Sequence, residues 1–268
     1  MNKVLNGKEL AEYIKQRQSK DVRSLVQSKN IRPKLAILQL KDDPTINIYV
    51  NLKKKYGAEI GIDVDIYRIE QKDVRDKIKV LNSDDKVHGI IVQLPIVDES
   101  ETDEIINLVS PSKDVDALAK STNFDPATPT AIMWLLAGYN VDLRDKKILL
   151  VGKGKLVGAP LFRMLSSSGL DVKVADKSTE DLKKECLESD IIVTATGKPG
   201  LINSAMISPN TVIVDAGVAS EKGGTVGDLA EDIYERQNLI LTPKKGGVGP
   251  LTVCALFENV LKAVRMSI

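Results

Sequence analysis

A tyrosine and a lysine stand four residues apart in Tyr49-Val-Asn-Leu-Lys53. On a helix, positions i and i+4 share a face and reach each other. A lysine beside a phenol can act as acid or base once its pKa is lowered. Bringing an amine from about 10.4 to about 7 needs roughly 4–5 kcal/mol of differential stabilisation, from partial burial or neighbouring groups. The same pair also fits a plain surface face, since Lys53, Lys54 and Lys55 run together. Three further segments bear on that choice. Gly89-Ile-Ile-Val-Gln93-Leu-Pro95 ends a buried strand on a glutamine whose amide must find partners. Pro111-Ser-Lys-Asp114-Val-Asp116 sets two carboxylates in a polar junction. Thr242-Pro-Lys-Lys-Gly246-Gly-Val-Gly249-Pro-Leu-Thr252 opens the last helix, either as a close approach of backbone to a ligand or as a plain turn.

A second chemistry lies in Gly152-Lys-Gly154-Lys-Leu-Val-Gly158, which follows the apolar strand Lys147 to Val151. In a dinucleotide site the first glycine permits the tight turn and the second lets backbone approach a pyrophosphate. The third lets a helix pack close to the sheet. The N-terminus of that helix offers free N–H groups and a partial positive charge. Alone, such a run is equally a turn, and its G-x-G-x-x-x-G spacing is a variant. The strand before it, the helix after it and three further strands favour phosphate binding. Asp176 closes the second strand, where an acidic residue grips the ribose hydroxyls in NAD enzymes and repels a 2′-phosphate. It also suits the N-cap region ahead of Ser178, and Lys153 and Lys177 supply the opposite charge nearby. NAD is therefore expected over NADP.

Placing these groups takes an α/β scaffold. Helical spacing covers Gly7 to Lys29, Tyr49 to Ile60 with Gly61 as C-cap, and Val74 to Asn82. Strand patterns cover Lys34 to Leu40, Asp63 to Ile69 and Gly89 to Leu94. Strands separated by helices imply largely parallel sheets covered on both faces. Between Ser110 and Thr130 the composition turns to Pro, Ser, Thr, Asp and Asn, which marks a junction. A helix over Ala131 to Tyr139 then leads into strands at Lys147–Val151, Asp171–Ala175, Asp190–Thr196, Thr211–Asp215 and Leu239–Thr242. A closing amphipathic helix runs from Thr252 to Met266.

The 268 residues are 43% hydrophobic and 28% charged, ordinary for a soluble globular protein. With 38 basic and 37 acidic side chains the formal charge is +1, so no net field draws the chain to nucleic acid or an anionic membrane. Cys186 and Cys254 lie far apart, which fits a reduced cytosol. The N-terminus breaks into charge at Lys8 and Glu9 without an apolar core, and no run is long enough to span a bilayer; a cytoplasmic protein is expected. His88 is the only histidine, so with two distant cysteines the usual zinc clusters cannot be assembled, and a Ser-His-Asp triad would have to use His88, which precedes a strand-like run. It reads as an exposed or half-buried residue at a strand start, and Trp134 reads as helix packing. No metal is expected, and acid–base work falls to Lys, Tyr, Asp or Glu.

In this order, Tyr49-Val-x-x-Lys53, Gly89-Ile-Ile-Val-Gln93-Leu-Pro95, Pro111-x-Lys-Asp114-Val-Asp116 and the Thr242–Thr252 turn resemble the bifunctional methylenetetrahydrofolate dehydrogenase/cyclohydrolase family. Leu156-Val-Gly-Ala-Pro160 and Val214-Asp-Ala-Gly-Val218 extend the resemblance to nearly the whole chain. It implies oxidation of 5,10-methylene-tetrahydrofolate with NAD or NADP, NADP being the family default, and hydrolysis of the methenyl product to 10-formyl-tetrahydrofolate. It implies that Tyr49 stacks on the folate and helps position Lys53, the acid–base residue of the hydrolytic step. Gln93 would hydrogen-bond Lys53, and Asp116 would accept hydrogen bonds from the pterin. Val92, Leu94, Lys245, Gly246, Gly247, Val248, Gly249 and Pro250 would line the folate site. Gly152, Lys153, Gly154, Val157, Gly158, Asp176, Lys177, Thr196, Gly197, Val218 and Thr252 would take the cofactor. Hydride transfer from a carbon flanked by two nitrogens needs proximity and orientation rather than a general base.

The chain departs from the family pattern at several points. The Arg-Ser of the usual glycine loop is Lys153-Gly154 here, and the His-Ser after the second strand is Asp176-Lys177. Ile46 replaces a serine three residues before Tyr49, Val97 a proline, Ala117 a glycine and Ala127 a frequent cysteine. Lys244-Lys245 stands for Val-Pro. A shikimate-dehydrogenase-like enzyme is one alternative, although its Asn-Val-Thr-x-Pro-x-Lys type of motif is absent. A short-chain dehydrogenase would place Tyr-x-x-x-Lys after its nucleotide glycines, the reverse of the order here. A degenerate homologue that binds folate without turnover is a third. The resemblance implies a catalytic domain over 1–120, a Rossmann-type domain over 121–249, and a helix over 250–268 returning to the first. It also implies folate in the cleft between the domains, and a homodimer.

Overall fold

The computed structural model of the chain describes residues 2–221 and 224–268. In chain order come β1 (Lys3–Val4), α1 (Gly7–Lys29), β2 (Lys34–Gln39), α2 (Pro44–Ile60), β3 (Asp63–Arg68), α3 (Val74–Asn82), β4 (Gly89–Gln93) and α4 (Thr102–Ile106). Then follow α5 (Ala127–Gly138), β5 (Ile148–Val151), α6 (Gly158–Ser167), β6 (Val172–Ala175), α7 (Leu182–Leu187) and β7 (Ile191–Thr194). The chain ends with β8 (Val212–Asp215), β9 (Ala219–Glu221), β10 (Gly224–Val226), β11 (Ile240–Leu241) and α8 (Val248–Met266). Two compact units result: Glu12–Ala127 with Val253–Ile268, and Met1–Ala11 with Thr128–Thr252.

The first unit is built on a three-stranded sheet in the order β3-β2-β4, parallel throughout, with Ile37 beside Ile91 and Gln39 beside Gln93. The central strand is apolar from Leu35 to Leu38 and fully buried, as a parallel strand covered on both faces must be. Helix α3 buries Val74, Ile78 and Leu81, a stripe at helical spacing, in the core that holds Leu38, Ile90 and Ile105. Helix α2 starts five residues earlier than the apolar spacing indicated. Asp43 caps it, accepting from the backbone N–H of Thr45 (2.8 Å) and Ile46 (3.2 Å), and Pro44 takes the first helical position, where no N–H is required. A Cβ on Gly57 would lie 2.4 Å from Val64 Cγ2 and 3.2 Å from the Phe257 ring, so glycine is what lets α2 approach β3 and α8.

His88 is buried, not exposed or half-buried as the sequence indicated. It is 8% accessible, and its Nδ1 accepts the Lys34 N–H at 3.2 Å, tying the start of β4 to β2. Burial pushes its pKa below the ordinary histidine value, and the Lys113 charge adds to this.

The second unit carries a six-stranded parallel sheet, β1-β11-β8-β7-β5-β6, with β9 and β10 as a separate antiparallel pair. The order reverses at β5, which has β6 on one side and β7 on the other. In such sheets a ligand crevice opens beyond the carboxyl ends of the strands at this switch point. The sequence reading assigned residues 1–11 to the first domain; here they join the second unit. Lys3 N–H donates to Leu239 O (2.9 Å) and Leu5 N–H to Leu241 O (2.8 Å), adding β1 as an edge strand too short for a periodic signal. Helices α5 and α8 also begin earlier than expected. Pro129 and Pro250 fall in their first turns, where proline is tolerated rather than helix-breaking. Among the described residues no helix is long and apolar enough to cross a membrane.

Candidate active site

Helix α2 presents Lys53 to the carboxyl end of β4. The Lys53 ammonium donates to Gln93 Oε1 at 2.7 Å, and Gln93 Nε2 donates to the Leu94 carbonyl at 2.9 Å. That second bond settles which end of the amide faces the lysine, so Gln93 offers oxygen. Lys53 is half-buried, and desolvation lowers its pKa below the ordinary lysine value, opposed by the nearby Asp116 charge. Asp116 is displaced the other way: burial raises its carboxyl above the usual range, and the Lys53 charge partly restores it. Both shifts have one cause, a charge held away from water. Tyr49, one turn before Lys53, is 37% exposed. Val92 is 4% accessible and packs in the core with Leu38 and Ile90.

The loop bearing Asp116 is fixed from several sides. The two carboxylates of Pro111–Asp116 do not act as a pair. Asp114 is buried and folds back to accept the N–H groups of Leu118 (3.4 Å) and Ala119 (3.1 Å), and burial raises its pKa to about 6. Lys113 Nζ donates to the carbonyls of Leu81 (3.0 Å) and Asp84 (2.7 Å). From α8, the buried Asn259 donates through Nδ2 to Val115 O (2.9 Å) and Asp125 O (2.8 Å). Sequence reading missed Asn259; the available signal was a polar residue amid the buried Leu256, Phe257, Val260 and Leu261. Ala117, in the family's glycine position, has φ +55°, a left-handed conformation costing about 1–2 kcal/mol for a residue with a Cβ.

The second unit gathers the cofactor candidates at the switch point. Gly152 has φ +99°, and a Cβ there would lie 2.8 Å from Ala195 O. A Cβ on Gly158 would lie 2.0 Å from Gly152 O, so α6 starts hard against the turn. Around Gly154, by contrast, nothing among the described residues comes within 4 Å of a Cβ, which leaves its backbone approachable. Helix α6 has Val157 at its N-cap without a side-chain cap bond among the described residues; Ala159 N–H donates to Gly154 O (2.9 Å) and Pro160 has no N–H, so of the first turn at most the Gly158 N–H is left for an anion. This cradle fits a dinucleotide pyrophosphate. Asp176 is exposed; its Oδ1 accepts the N–H (2.9 Å) and hydroxyl (2.6 Å) of Ser178. These bonds, with the Lys153 charge, hold its carboxyl below the ordinary range. Lys153 and Lys177 are exposed, and the Lys153 ammonium stands 5.7 Å from the Phe162 ring centre. Thr196 and Gly197 follow β7 half-buried, and Val218 is 59% exposed after β8. The Thr252 hydroxyl lies 3.3 Å from the Val248 carbonyl within its own helix and 3.5 Å from the Thr128 hydroxyl.

Lys245, Gly246, Gly247, Val248, Gly249 and Pro250 also belong to this second unit. Their turn is pinned to the start of α1: Lys8 N–H donates to Gly246 O at 2.9 Å, and a Cβ on Gly7 would overlap Gly247 O at 1.8 Å. Gly246 has φ +85°, which glycine adopts without strain. Lys244 forms an ion pair with Glu231, while Lys245 is exposed.

Residues 5–116 match the family described as tetrahydrofolate dehydrogenase/cyclohydrolase, catalytic domain, and residues 126–268 match its NAD(P)-binding domain. The chain is 37% identical to the bifunctional protein FolD of Acetivibrio thermocellus, over 98% of this chain and 97% of that one. It superposes on the crystal structure of the bifunctional enzyme FolD from Campylobacter jejuni with a TM-score of 0.93, at 33% identity and covering 100% of both chains. Trypanosoma brucei FolD, solved with NADP and an inhibitor, gives a TM-score of 0.91 at 28% identity over 98% of this chain and 97% of that one. The shikimate-dehydrogenase-like alternative is set aside by the match of both halves. The chain belongs to the tetrahydrofolate dehydrogenase/cyclohydrolase family, and it is a two-domain α/β enzyme with both of those activities.

Proposed function

We propose that Lys53 is the acid–base residue of the cyclohydrolase step, with Gln93 setting its charge state, Tyr49 stacking on the folate and Asp116 binding the pterin. The observation that carries this reading is the 2.7 Å bond from Lys53 to a glutamine whose amide is held by the Leu94 carbonyl. Burial favours the neutral amine, which can take the proton released as water adds to the methenyl carbon. As the carbon–N5 bond breaks, Lys53 passes a proton to N5. The step leaves 10-formyl-tetrahydrofolate and one proton in solvent. Pterin N–H groups would favour the ionised form of Asp116, which burial alone disfavours. Val92, Leu94 and the Lys245–Pro250 turn would line the folate.

A bound nicotinamide dinucleotide accepts the hydride that leaves the methylene carbon in the dehydrogenase step. Gly152, Lys153, Gly154, Val157 and Gly158 would hold its pyrophosphate. Asp176 and Lys177 would meet the adenosine ribose, with Thr196, Gly197, Val218 and Thr252 completing the site. We take NAD to be preferred, because the exposed carboxylate of Asp176 opposes a 2′-phosphate. The same reading makes the protein a cytoplasmic homodimer that acts without nucleic acid and supplies a formyl donor for purine synthesis. The near-neutral charge supports the third of these points, and the family resemblance supports the rest.

Replacing Lys53 by Met tests the central assignment. Following methenyl-tetrahydrofolate absorbance, its hydration is expected to slow by about 10²–10⁴-fold, with its formation from methylene-tetrahydrofolate partly retained. Undiminished hydration would remove Lys53 from the role.

A further inference from the structure

The nucleotide-binding unit holds two inward-facing aspartates that none of the steps above uses. Asp215 ends β8. Its Oδ1 accepts the N–H of Gly217 (2.9 Å), the N–H of Asp228 (3.1 Å) and the Thr194 hydroxyl (3.2 Å), and its Oδ2 accepts the Leu229 N–H (3.2 Å). Asp228 is fully buried. Its Oδ2 accepts the Thr196 N–H at 2.7 Å and its Oδ1 the Lys198 N–H at 2.8 Å. Glycines make room for both groups. A Cβ on Gly217 would fall 2.2 Å from Asp228 Oδ1, and one on Gly227 would fall 2.0 Å from Asp215 Oδ2. On the far side, Ile202 N–H donates to Asp228 O (3.2 Å) and Ala230 N–H to Ile202 O (2.8 Å), fixing the segment that delivers the carboxylate.

The two donors that Asp228 captures flank Gly197, whose φ is +67° and whose Cβ would lie 3.2 Å from the Val218 carbonyl. One carboxylate therefore spans a left-handed turn from both ends and holds it against the segment after β8. Holding two carboxyl groups side by side, one buried and one half-buried, is costly, and an ordinary turn does not require it. The arrangement sits at the carboxyl ends of β7 and β8, beside the switch point where ligands bind in such sheets.

We infer that Asp228 is a positioning residue for the dehydrogenase: it sets the backbone of Thr196–Lys198, and through Asp215 that of Gly217–Val218, in the shape that receives the dinucleotide. The inference rests on the proposed cofactor roles of Thr196, Gly197 and Val218. It concerns the oxidation alone, since hydration of methenyl-tetrahydrofolate consumes no dinucleotide.

The test is Asp228→Asn in the full chain, assayed with whichever of NAD and NADP the unmodified enzyme turns over faster. An asparagine retains one acceptor and turns an N–H₂ toward a backbone N–H. The KM for the dinucleotide is expected to rise at least tenfold, with the KM for methylene-tetrahydrofolate and the hydration rate within twofold. Fluorescence of Trp134, the single tryptophan and a member of this unit, reports whether the unit is folded. An unchanged dinucleotide KM in the folded variant overturns the inference. If Asp228→Asn does not fold, Asp228→Glu keeps the charge and both acceptors but displaces them by one methylene, and the same rise in KM is expected. Loss of fold in both variants also overturns it, leaving a purely structural role. Failure of the underlying reading looks different: the unmodified chain would then show no saturation with either dinucleotide.

Discussion

At the scale of single residues, burial decides more than residue type. The contact between Lys53 and Gln93 was expected from the family resemblance, whereas the i, i+4 spacing alone fitted a plain surface face as well. The settings of His88 and Asp114 were not readable, because which way a side chain turns at a strand edge or in a loop depends on packing from elsewhere in the chain. His88 carries a measurable consequence. In the folded state its Nδ1 must stay unprotonated to accept the Lys34 N–H, and burial holds its pKa below 6.5. As pH falls below about 6.5, the unfolded chain gains a proton that the folded chain refuses, so stability falls; the effect levels off below the folded-state pKa. Asp114, raised to about 6, has the opposite sign: the folded form binds the extra proton between its reference value of 3.8 and about 6. A raw pH profile therefore mixes the two. Because His88 is the only histidine, His88→Asn isolates its share, retaining an acceptor that does not titrate. Urea unfolding at pH 7.5 and 5.5 is expected to show a smaller loss on acidification in the variant. Equal losses would mean that His88 does not contribute.

Elements were legible where a long periodic segment declares itself. Helices α1 and α3 match the apolar spacing residue for residue, and the interior strands differ by one or two residues at their ends. The early starts of α2, α5 and α8 were missed because Pro44, Pro129 and Pro250 read as loop, although a first helical turn accepts proline. Strand β1 escaped notice because its two residues gain their meaning only from β11, more than two hundred residues away. The loop carrying Asp116 was legible as a motif, but the device that holds it was not. Asn259 reaches it from α8, and only the folded chain brings the two together. Asn259→Ala would leave the buried Val115 carbonyl without that donor, at about 1–3 kcal/mol, and would also remove the bond to the exposed Asp125. The urea midpoint of the enzyme is expected to fall accordingly. The KM for methylene-tetrahydrofolate should rise severalfold while the KM for the dinucleotide holds. A variant with lower stability but an unchanged folate KM would separate the clamp from Asp116.

At the scale of the whole molecule, ligand binding and stability are one equilibrium, and the lone tryptophan makes part of it visible. Trp134 belongs to the unit formed by Met1–Ala11 and Thr128–Thr252. Anything that binds this unit folded but not unfolded stabilises it by RT ln(1 + [L]/Kd), about 2.7 kcal/mol at a hundred times Kd. On the proposed cofactor roles, Asp176 would decide which dinucleotide gains more. Its carboxylate is exposed and held ionised by the two Ser178 bonds, so a 2′-phosphate brought to the ribose position meets a full negative charge, with Lys153 offsetting part of it. At equal concentration NAD is therefore expected to raise the Trp134 melting midpoint by several degrees and NADP by less. The NADP deficit should shrink as salt is added, because exposed charges are screened over about 10 Å at 0.1 M ionic strength. Asp176→Ser removes the repulsion while keeping a hydroxyl for the ribose, and should bring the two shifts together. A larger shift with NADP in the unmodified chain would show that Lys153 and Lys177, rather than Asp176, govern the ribose end.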